Sequence, residues 1–319
     1  MHQHINTPLY VIALGGNAII RPGEAGTIEQ QVAHASEALE PVARLAAEGA
    51  GIVLTHGNGP VVGNILLRNE AAAESVSPMP LYIADADSEG GIGFMLQNTL
   101  RNLMRRIGVT REVATIVTQV AVDPNDPAFT APSKPVGPHY AAARARELAN
   151  LRGWTLAKVG ADAWRRVVPS PRPLRIIETA VVRTLVDAGD VVIAAGGGGI
   201  PVFESADGAT LTPIDAVVDK DWSSALLARD IGADLLAVLM EADALYLGWG
   251  SDTARLVPRI TVGDAHVLLD SGALAAGSIA PKLAACVMFV EYTGKEALMC
   301  ASNRLEEGLV GKSGTRITA

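Results

Sequence analysis

At 319 residues, with 49% hydrophobic content and only 4% aromatics, the chain can build a sizeable core, and that core must rest on Ala, Val, Leu and Ile. Such a composition suits helices packed on a parallel sheet. A formal net charge of −8 argues against nonspecific binding to nucleic acid or an acidic membrane surface, which depend on clustered cations, and the few aromatics argue against stacking platforms for bases.

Residues 1–6, Met1-His2-Gln3-His4-Ile5-Asn6, have neither a basic start nor an apolar signal core. The strand-like run after them, Leu9–Leu14, is too short to cross a bilayer, so a soluble cytoplasmic protein is expected. That run leads into Gly15-Gly16-Asn17, and an alanine- and leucine-rich helical stretch follows at residues 27–48. A second strand-like run, residues 52–55, leads into His56-Gly57-Asn58-Gly59-Pro60. In an open α/β sheet such loops, beyond the carboxyl ends of strands, are where ligands bind. Asn17 and Asn58 could donate amide hydrogens to an anionic acceptor or to a transferred group, although two glycines alone also fit a tight turn.

Further strand-like runs are expected at residues 113–122, 191–195 and 235–239. Between Asp123 and Pro138 five prolines rule out regular helix or central strand. The chain there begins an excursion that returns near Pro169-Ser170-Pro171-Arg172-Pro173, so residues 123–173 read as a lid or protruding lobe, with Trp154 and Trp164 available to bury. A disordered linker is the alternative.

Val191-Val192-Ile193-Ala194-Ala195 ends in Gly196-Gly197-Gly198-Gly199, and Asp219-Lys220-Asp221 follows. Glycine lets backbone N–H groups approach anionic oxygens, Lys220 could neutralise a transferring phosphoryl group, and Asp219 and Asp221 could hold that ammonium or touch a metal. A flexible loop with a solvated charged turn would explain the same residues. Lys282 follows Pro281 at an expected helix start, where free N–H groups favour an anion, and Lys134 lies in the proline-rich block. The chain lacks a Walker Gly-Lys-Ser/Thr loop at its first glycines and lacks the third glycine of a dinucleotide fingerprint, which leaves phosphoryl transfer with cations supplied from elsewhere. Cys286 and Cys300 lie in apolar surroundings and read as reduced core residues, and no zinc spacing is present.

In order along the chain, Val11-Ile12-Ala13-Leu14-Gly15-Gly16-Asn17-Ala18, Leu54-Thr55-His56-Gly57-Asn58-Gly59-Pro60, Val122-Asp123-Pro124-Asn125-Asp126-Pro127, Lys134-Pro135-Val136-Gly137-Pro138, Trp164-Arg165-Arg166-Val167-Val168-Pro169-Ser170-Pro171, the glycine run, Asp219-Lys220-Asp221 and Gly311-Lys312-Ser313-Gly314 resemble the carbamate kinase family. The resemblance implies the amino-acid-kinase fold: a three-layer αβα sandwich with a mainly parallel open sheet and a small protruding subdomain. It implies one domain over residues 1–319, with an acceptor-binding part at 1–122, a protruding lid at 123–173 and a nucleotide-binding part at 174–319. It also implies reversible phosphoryl transfer between ATP with Mg²⁺ and carbamate, giving ADP and carbamoyl phosphate, in a cytoplasmic homodimer of arginine metabolism. Carried over by residue, Gly15, Gly16 and Asn17 would surround the transferring phosphoryl, and Gly57, Asn58 and Gly59 would line the acceptor pocket. Lys134, Lys220 and Lys282 would serve the chemistry with Asp221 orienting the lysines, while Gly197, Gly198, Asp219, Lys220, Tyr246 and Lys282 would meet the nucleotide. No side chain is assigned to a metal.

Two stretches depart from the family. Where it usually reads close to Met-Ser-Gln-Gly, at an expected helix start beside the acceptor, this chain reads Asp85-Ala86-Asp87-Ser88-Glu89-Gly90, and Met240-Glu241 stand where a threonine and an aspartate are usual. A carboxylate facing the acceptor would repel carbamate by roughly 1 to 4 kcal/mol at about 4 Å. Alternatively Asp87 or Ser88 caps the helix and touches no substrate. The alternative functions are a related enzyme phosphorylating another small carboxylate, carbamate or phosphonate, and a non-catalytic nucleotide-binding sensor.

Overall fold

The computed structural model describes residues 7–16, 19–21, 23–274 and 279–319. Its main sheet has eight strands in the order Arg259–Thr261, Thr315–Thr318, Glu296–Ala301, Leu235–Met240, Leu9–Leu14, Gly51–His56, Val191–Ile193 and Val113–Thr115. Neighbours run parallel except where Glu296–Ala301 meets Thr315–Thr318. The apolar, β-branched strands are buried on both faces, and their period of two divides the core. Val11, Ala13, Val53, Leu236 and Val238 pack on one side, with residues of the helices Lys220–Asp230 and Ile279–Thr293. Ile12, Leu14, Ile52, Leu54, Ala237 and Leu239 pack on the other, with residues of the helices Ile28–Ala47 and Leu81–Arg106. Helices on both faces of a mainly parallel sheet make the three layers of an α/β sandwich.

The helix expected over residues 27–48 forms as Ile28–Ala47. Thr27 caps it by accepting the Gln30 N–H, and Gln30 Oε1 reaches back to the Thr27 N–H, a reciprocal pair that satisfies two otherwise orphaned donors.

The run expected as one strand over 113–122 is instead two. Val113–Thr115 forms the edge of the main sheet, whereas Gln119–Val122 pairs with Ile200–Glu204 and Pro173–Ile176 in a second sheet of four strands completed by Leu211–Pro213. The break has a physical cause in residues 116–118. The Ile116 N–H makes a last bond to Ile193 O, and then Thr118 Oγ1 donates back to Ile116 O while Thr118 N–H turns to Glu89.

Within the proline-rich excursion, Lys134–Tyr140, Trp164–Val168 and Leu156–Lys158 form an antiparallel sheet of their own, spanned by the helix Ala142–Arg152. Trp154 is half-buried there, with the guanidinium groups of Arg166 and Arg152 at 4.8 and 5.5 Å from its ring centre. Both cysteines are free and buried, as their apolar surroundings suggest. Strands Glu296–Ala301 and Thr315–Thr318 and the partners of the second sheet escaped the sequence reading.

Candidate functional site

Because Leu9–Leu14, Gly51–His56, Val191–Ile193 and Leu235–Met240 run parallel, the loops at their carboxyl ends meet along one edge of the sheet. A Cβ placed on Gly57 would sit 3.0 Å from the Gly16 nitrogen and 3.4 Å from Lys220 Cδ, so the first two loops and that lysine are in contact. Gly15 packs against the backbone of Leu239. In the third loop, Gly198 adopts φ 104°, and a Cβ there would lie 2.2 Å from Val218 O, so only glycine lets the run close on the segment before Lys220. Gly197 lies against the side chain of Asn58.

Asp219 caps the helix Lys220–Asp230, its Oδ1 accepting the Asp221 N–H at 2.9 Å. Its Oδ2 accepts from Lys134 Nζ at 2.9 Å, which ties the proline-rich excursion to the helix start. Asp221 is 2% exposed and accepts from Lys220 Nζ on Oδ1 and from Lys282 Nζ on Oδ2, each at 2.8 Å. Burial alone would push its carboxyl up, but the two ammonium groups outweigh burial and hold it well below the usual carboxylate range. Three ammonium groups against two carboxylates leave the cluster with one net positive charge, beside backbone-rich loops. Such an arrangement has the charge and the donors to receive an anion carrying several oxygens.

Residues that the sequence reading did not single out brace the cluster. Ser223 Oγ donates to Gly198 O at 2.7 Å and Ser224 Oγ to Lys220 O at 2.6 Å, and Thr55 Oγ1 lies 2.6 Å from Ser224 Oγ. The positions three and four after Lys220 lie one helical turn on, which is the signal that could have found them. His56 is fully buried, its Nδ1 3.3 Å from Gly57 O, and burial drives its pKa down to about 4, so it is neutral at ordinary pH.

Two expectations change. Asn58 is buried, and its Nδ2 donates to Ser88 Oγ at 2.9 Å and to Asp85 Oδ1 at 3.3 Å. Both amide hydrogens therefore anchor the loop to the helix Leu81–Arg106 rather than facing a ligand. Nor do Asp87 or Ser88 cap that helix, because it begins at Leu81 after Pro80, with Asp85, Asp87 and Glu89 inside it. One phase of the helix buries Leu81, Ala84, Asp85, Ser88, Glu89 and Ile92, leaving Asp87 exposed on the other side. Glu89 accepts the Gly196 N–H at 2.9 Å and the Thr118 N–H at 3.1 Å. Asp85 Oδ2 has no partner among the described residues. Burial pushes Asp85 up to about 7 and Glu89 up to about 8.

Gly59 opens the helix Gly59–Ala71 directly after Asn58. Tyr246 bonds to Asp243 at 2.9 Å and packs edge-on against Trp249, and among the described residues no hydrogen bond joins it to the lysines. Asn17 lies outside the described residues.

The amino acid kinase family model matches residues 8–300. The chain is 39% identical to a carbamate kinase of Pyrococcus horikoshii over 97% of its length and 98% of the relative's. It is 42% identical to an Escherichia coli protein named carbamate kinase-like protein YqeA over 96% and 98%. Among solved structures, the carbamate kinase of Giardia lamblia bound to AMP-PNP superposes with a TM-score of 0.92 at 37% identity, covering 98% of each chain.

Proposed function

The chain belongs to the amino acid kinase family, among the carbamate kinases, and from that premise we propose that it transfers a phosphoryl group reversibly between ATP and carbamate, giving ADP and carbamoyl phosphate. The observation that carries this reading is Asp221, which holds Lys220 and Lys282 together at the edge where the glycine loops meet.

Phosphoryl transfer passes through a loose transition state whose charge spreads over three equatorial oxygens, so its catalysis is mostly positioning and fixed charge. Carbamate already carries an anionic oxygen. It attacks the γ-phosphorus directly, the bond from that phosphorus to the bridging oxygen breaks, and the electron pair leaves on ADP. No general base is required, which suits a site whose imidazole, His56, is buried and neutral. Gly197, Gly198 and the start of the helix at Lys220 receive the nucleotide phosphates, while Gly15, Gly16, Gly57 and Gly59 shape the space for the transferring group and acceptor. Lys220 and Lys282 meet the developing charge, and Asp221 keeps them ionised and oriented before the reaction begins. Lys134, tethered by Asp219, brings the excursion at residues 123–173 over the site as a lid.

Both oxygens of Asp219 and of Asp221 accept from N–H donors, and among the described residues no group of three His, Cys, Asp or Glu could hold a metal. The site suits Mg²⁺ carried on the nucleotide's own phosphates, where it would neutralise charge between them. A homodimer belongs to the same proposal. Among the described residues no helix is long and apolar enough to cross a membrane.

The test is formation of ATP from ADP and carbamoyl phosphate by the purified protein. Turnover is expected, and none from intact, folded protein would sink the reading. The Asp85 carboxyl, buried beside Asn58 with one oxygen unpartnered among the described residues, favours a second reading in which another small carboxylate, carbamate or phosphonate is the acceptor. A different acyl phosphate used at least tenfold better than carbamoyl phosphate would establish that reading instead.

A further inference from the structure

The proline-rich excursion does not close completely on the rest of the fold. A cavity of about 230 Å³ remains where it meets the helix Gly59–Ala71 and the start of the helix Leu81–Arg106, walled by Leu66, Met79, Leu81 and Val136. None of its lining residues belongs to the lysine cluster or to the glycine loops. Leu81 and Val136 also join Val62, Ala84, Val168 and Val217 in a small buried core of their own. We propose that this cavity binds a small organic anion, whose carboxylate pairs with Arg166 and whose apolar body packs against Leu66 and Trp154.

The carboxylates of the wall are engaged, and one guanidinium is not. Glu70 accepts from Tyr140 Oη on Oε2 at 2.7 Å and from Arg144 Nη2 on Oε1 at 2.9 Å. Asp215 Oδ1 accepts the backbone N–H groups of Leu81 and Tyr82, at 2.9 and 3.4 Å, which closes the start of that helix. Arg166 differs. Among the described residues its guanidinium donates no hydrogen bond, since its closest carboxylate oxygen, Asp215 Oδ2, is 3.7 Å away. The neighbouring Arg165, by contrast, spends two N–H groups on Gly137 O, at 3.1 and 2.9 Å.

The Arg166 side chain is only 17% exposed and lies over the Trp154 ring, so its donors have lost most of their water without gaining a fixed acceptor. Burial accordingly pulls its pKa below the ordinary value, although a guanidinium there stays charged. A carboxylate in the cavity would accept two parallel N–H bonds from it. A bare inorganic anion would leave the apolar wall unfilled, and a neutral hydrocarbon would leave the guanidinium unpaired. An apolar cavity of about 150 Å³ is enough to hold benzene, so a six-membered ring carrying a carboxylate fits the volume. Val136 stands two positions after Lys134 on one strand, so the occupant touches the element that carries that lysine.

Benzoate is the probe, with benzyl alcohol as its neutral counterpart and inorganic phosphate as the bare anion. Each is titrated into full-length protein labelled with ¹⁵N at tryptophan, following the indole N–H signal of Trp154, identified by its loss in Trp154→Phe. Benzoate is expected to move that signal saturably and to bind at least tenfold tighter than benzyl alcohol or phosphate, leaving the signal of Trp222, next to Asp221, in place. Arg166→Met should weaken benzoate at least tenfold, and Leu66→Trp, which fills the cavity and keeps the guanidinium, should do the same. No saturable shift, equal binding of benzyl alcohol or phosphate, or a benzoate effect confined to Trp222 overturns the proposal. So does a folded Leu66→Trp protein that binds benzoate within twofold of the parent. If neither variant folds, the parent's preference among the three probes decides. The readout needs no turnover, so failure here leaves the phosphoryl-transfer reading standing, and failure of that reading leaves this one to its own test.

Discussion

Two sets of buried carboxylates flank the same crevice and are treated in opposite ways. Asp221 lies between two ammonium groups that hold it ionised, while Asp85 and Glu89, on the helix Leu81–Arg106, are buried and hydrogen-bonded to the neutral Asn58 amide and to backbone N–H groups, and burial pushes them up. At the lysine cluster, then, charge is placed in advance and compensated, so that on the proposed reading two lysines stand ready for phosphate oxygens. Asp85 and Glu89 instead brace the Asn58 loop and the start of the glycine run, and their charge is a cost that the fold carries.

The contrast breaks most severely if Asp221 is neutralised. Asp221→Asn would leave Lys220 and Lys282 close together with their common counter-charge gone, and removing one partner of a buried pair costs about 3–5 kcal/mol. The midpoint of urea denaturation should fall accordingly, and ATP formation with it. A midpoint within experimental error of the parent's would mean that the lysines do not depend on this carboxylate.

The two sets should also respond to pH with opposite sign, at a smaller scale. Asp221 is depressed in the folded state, so the stability it contributes is present above the ordinary carboxylate range and is lost as pH falls through its lowered value. Asp85 and Glu89 are raised, so their contribution is full below the ordinary range and is lost as pH rises through about 7 and about 8. The parent's melting temperature should therefore decline between pH 5 and pH 8, and Asp85→Asn should flatten the part of that decline below about pH 7. A decline of the same slope in parent and variant would show that Asp85 is not carrying the charge assigned to it.

How much of this was legible in the sequence differs between the two sets for a physical reason. Asp219-Lys220-Asp221 and the glycine run are local, and the loop–helix junction that brings them together depends on neighbours in the chain, so the cluster could be read from spacing. Lys134 and Lys282 are distant in sequence and were singled out by their settings, Lys134 in the proline-rich block and Lys282 after Pro281 at a helix start, with the resemblance then assigning them roles. The acidic stretch misled because its meaning depends on helical phase. With the helix starting at Leu81 rather than near Asp87, Asp85 and Glu89 turn inward and Asp87 outward. Leu81, Ala84, Ile92 and Leu96 already carry that phase, so the information was present in residues further along the chain. The division of residues 113–122 between two sheets was not legible, because it is made by contacts of Thr118 with Glu89 and Ala195, far away in sequence. Asn58 shows the same limit: its residue type fits a ligand donor, yet its partners lie on a helix 27 and 30 positions on.

The central claim is that fixed cations at the nucleotide end carry the transfer, and Lys220 tests it most directly. Replacing it removes one preorganised charge from the transition state, a loss of about 2.7–4 kcal/mol or roughly 10²–10³ in rate for groups of this kind. In the ATP-forming assay with carbamoyl phosphate, Lys220→Ala is expected to keep its fold by circular dichroism and to lose at least about a hundredfold in kcat. A folded Lys220→Ala protein that retains kcat within threefold of the parent would contradict the account.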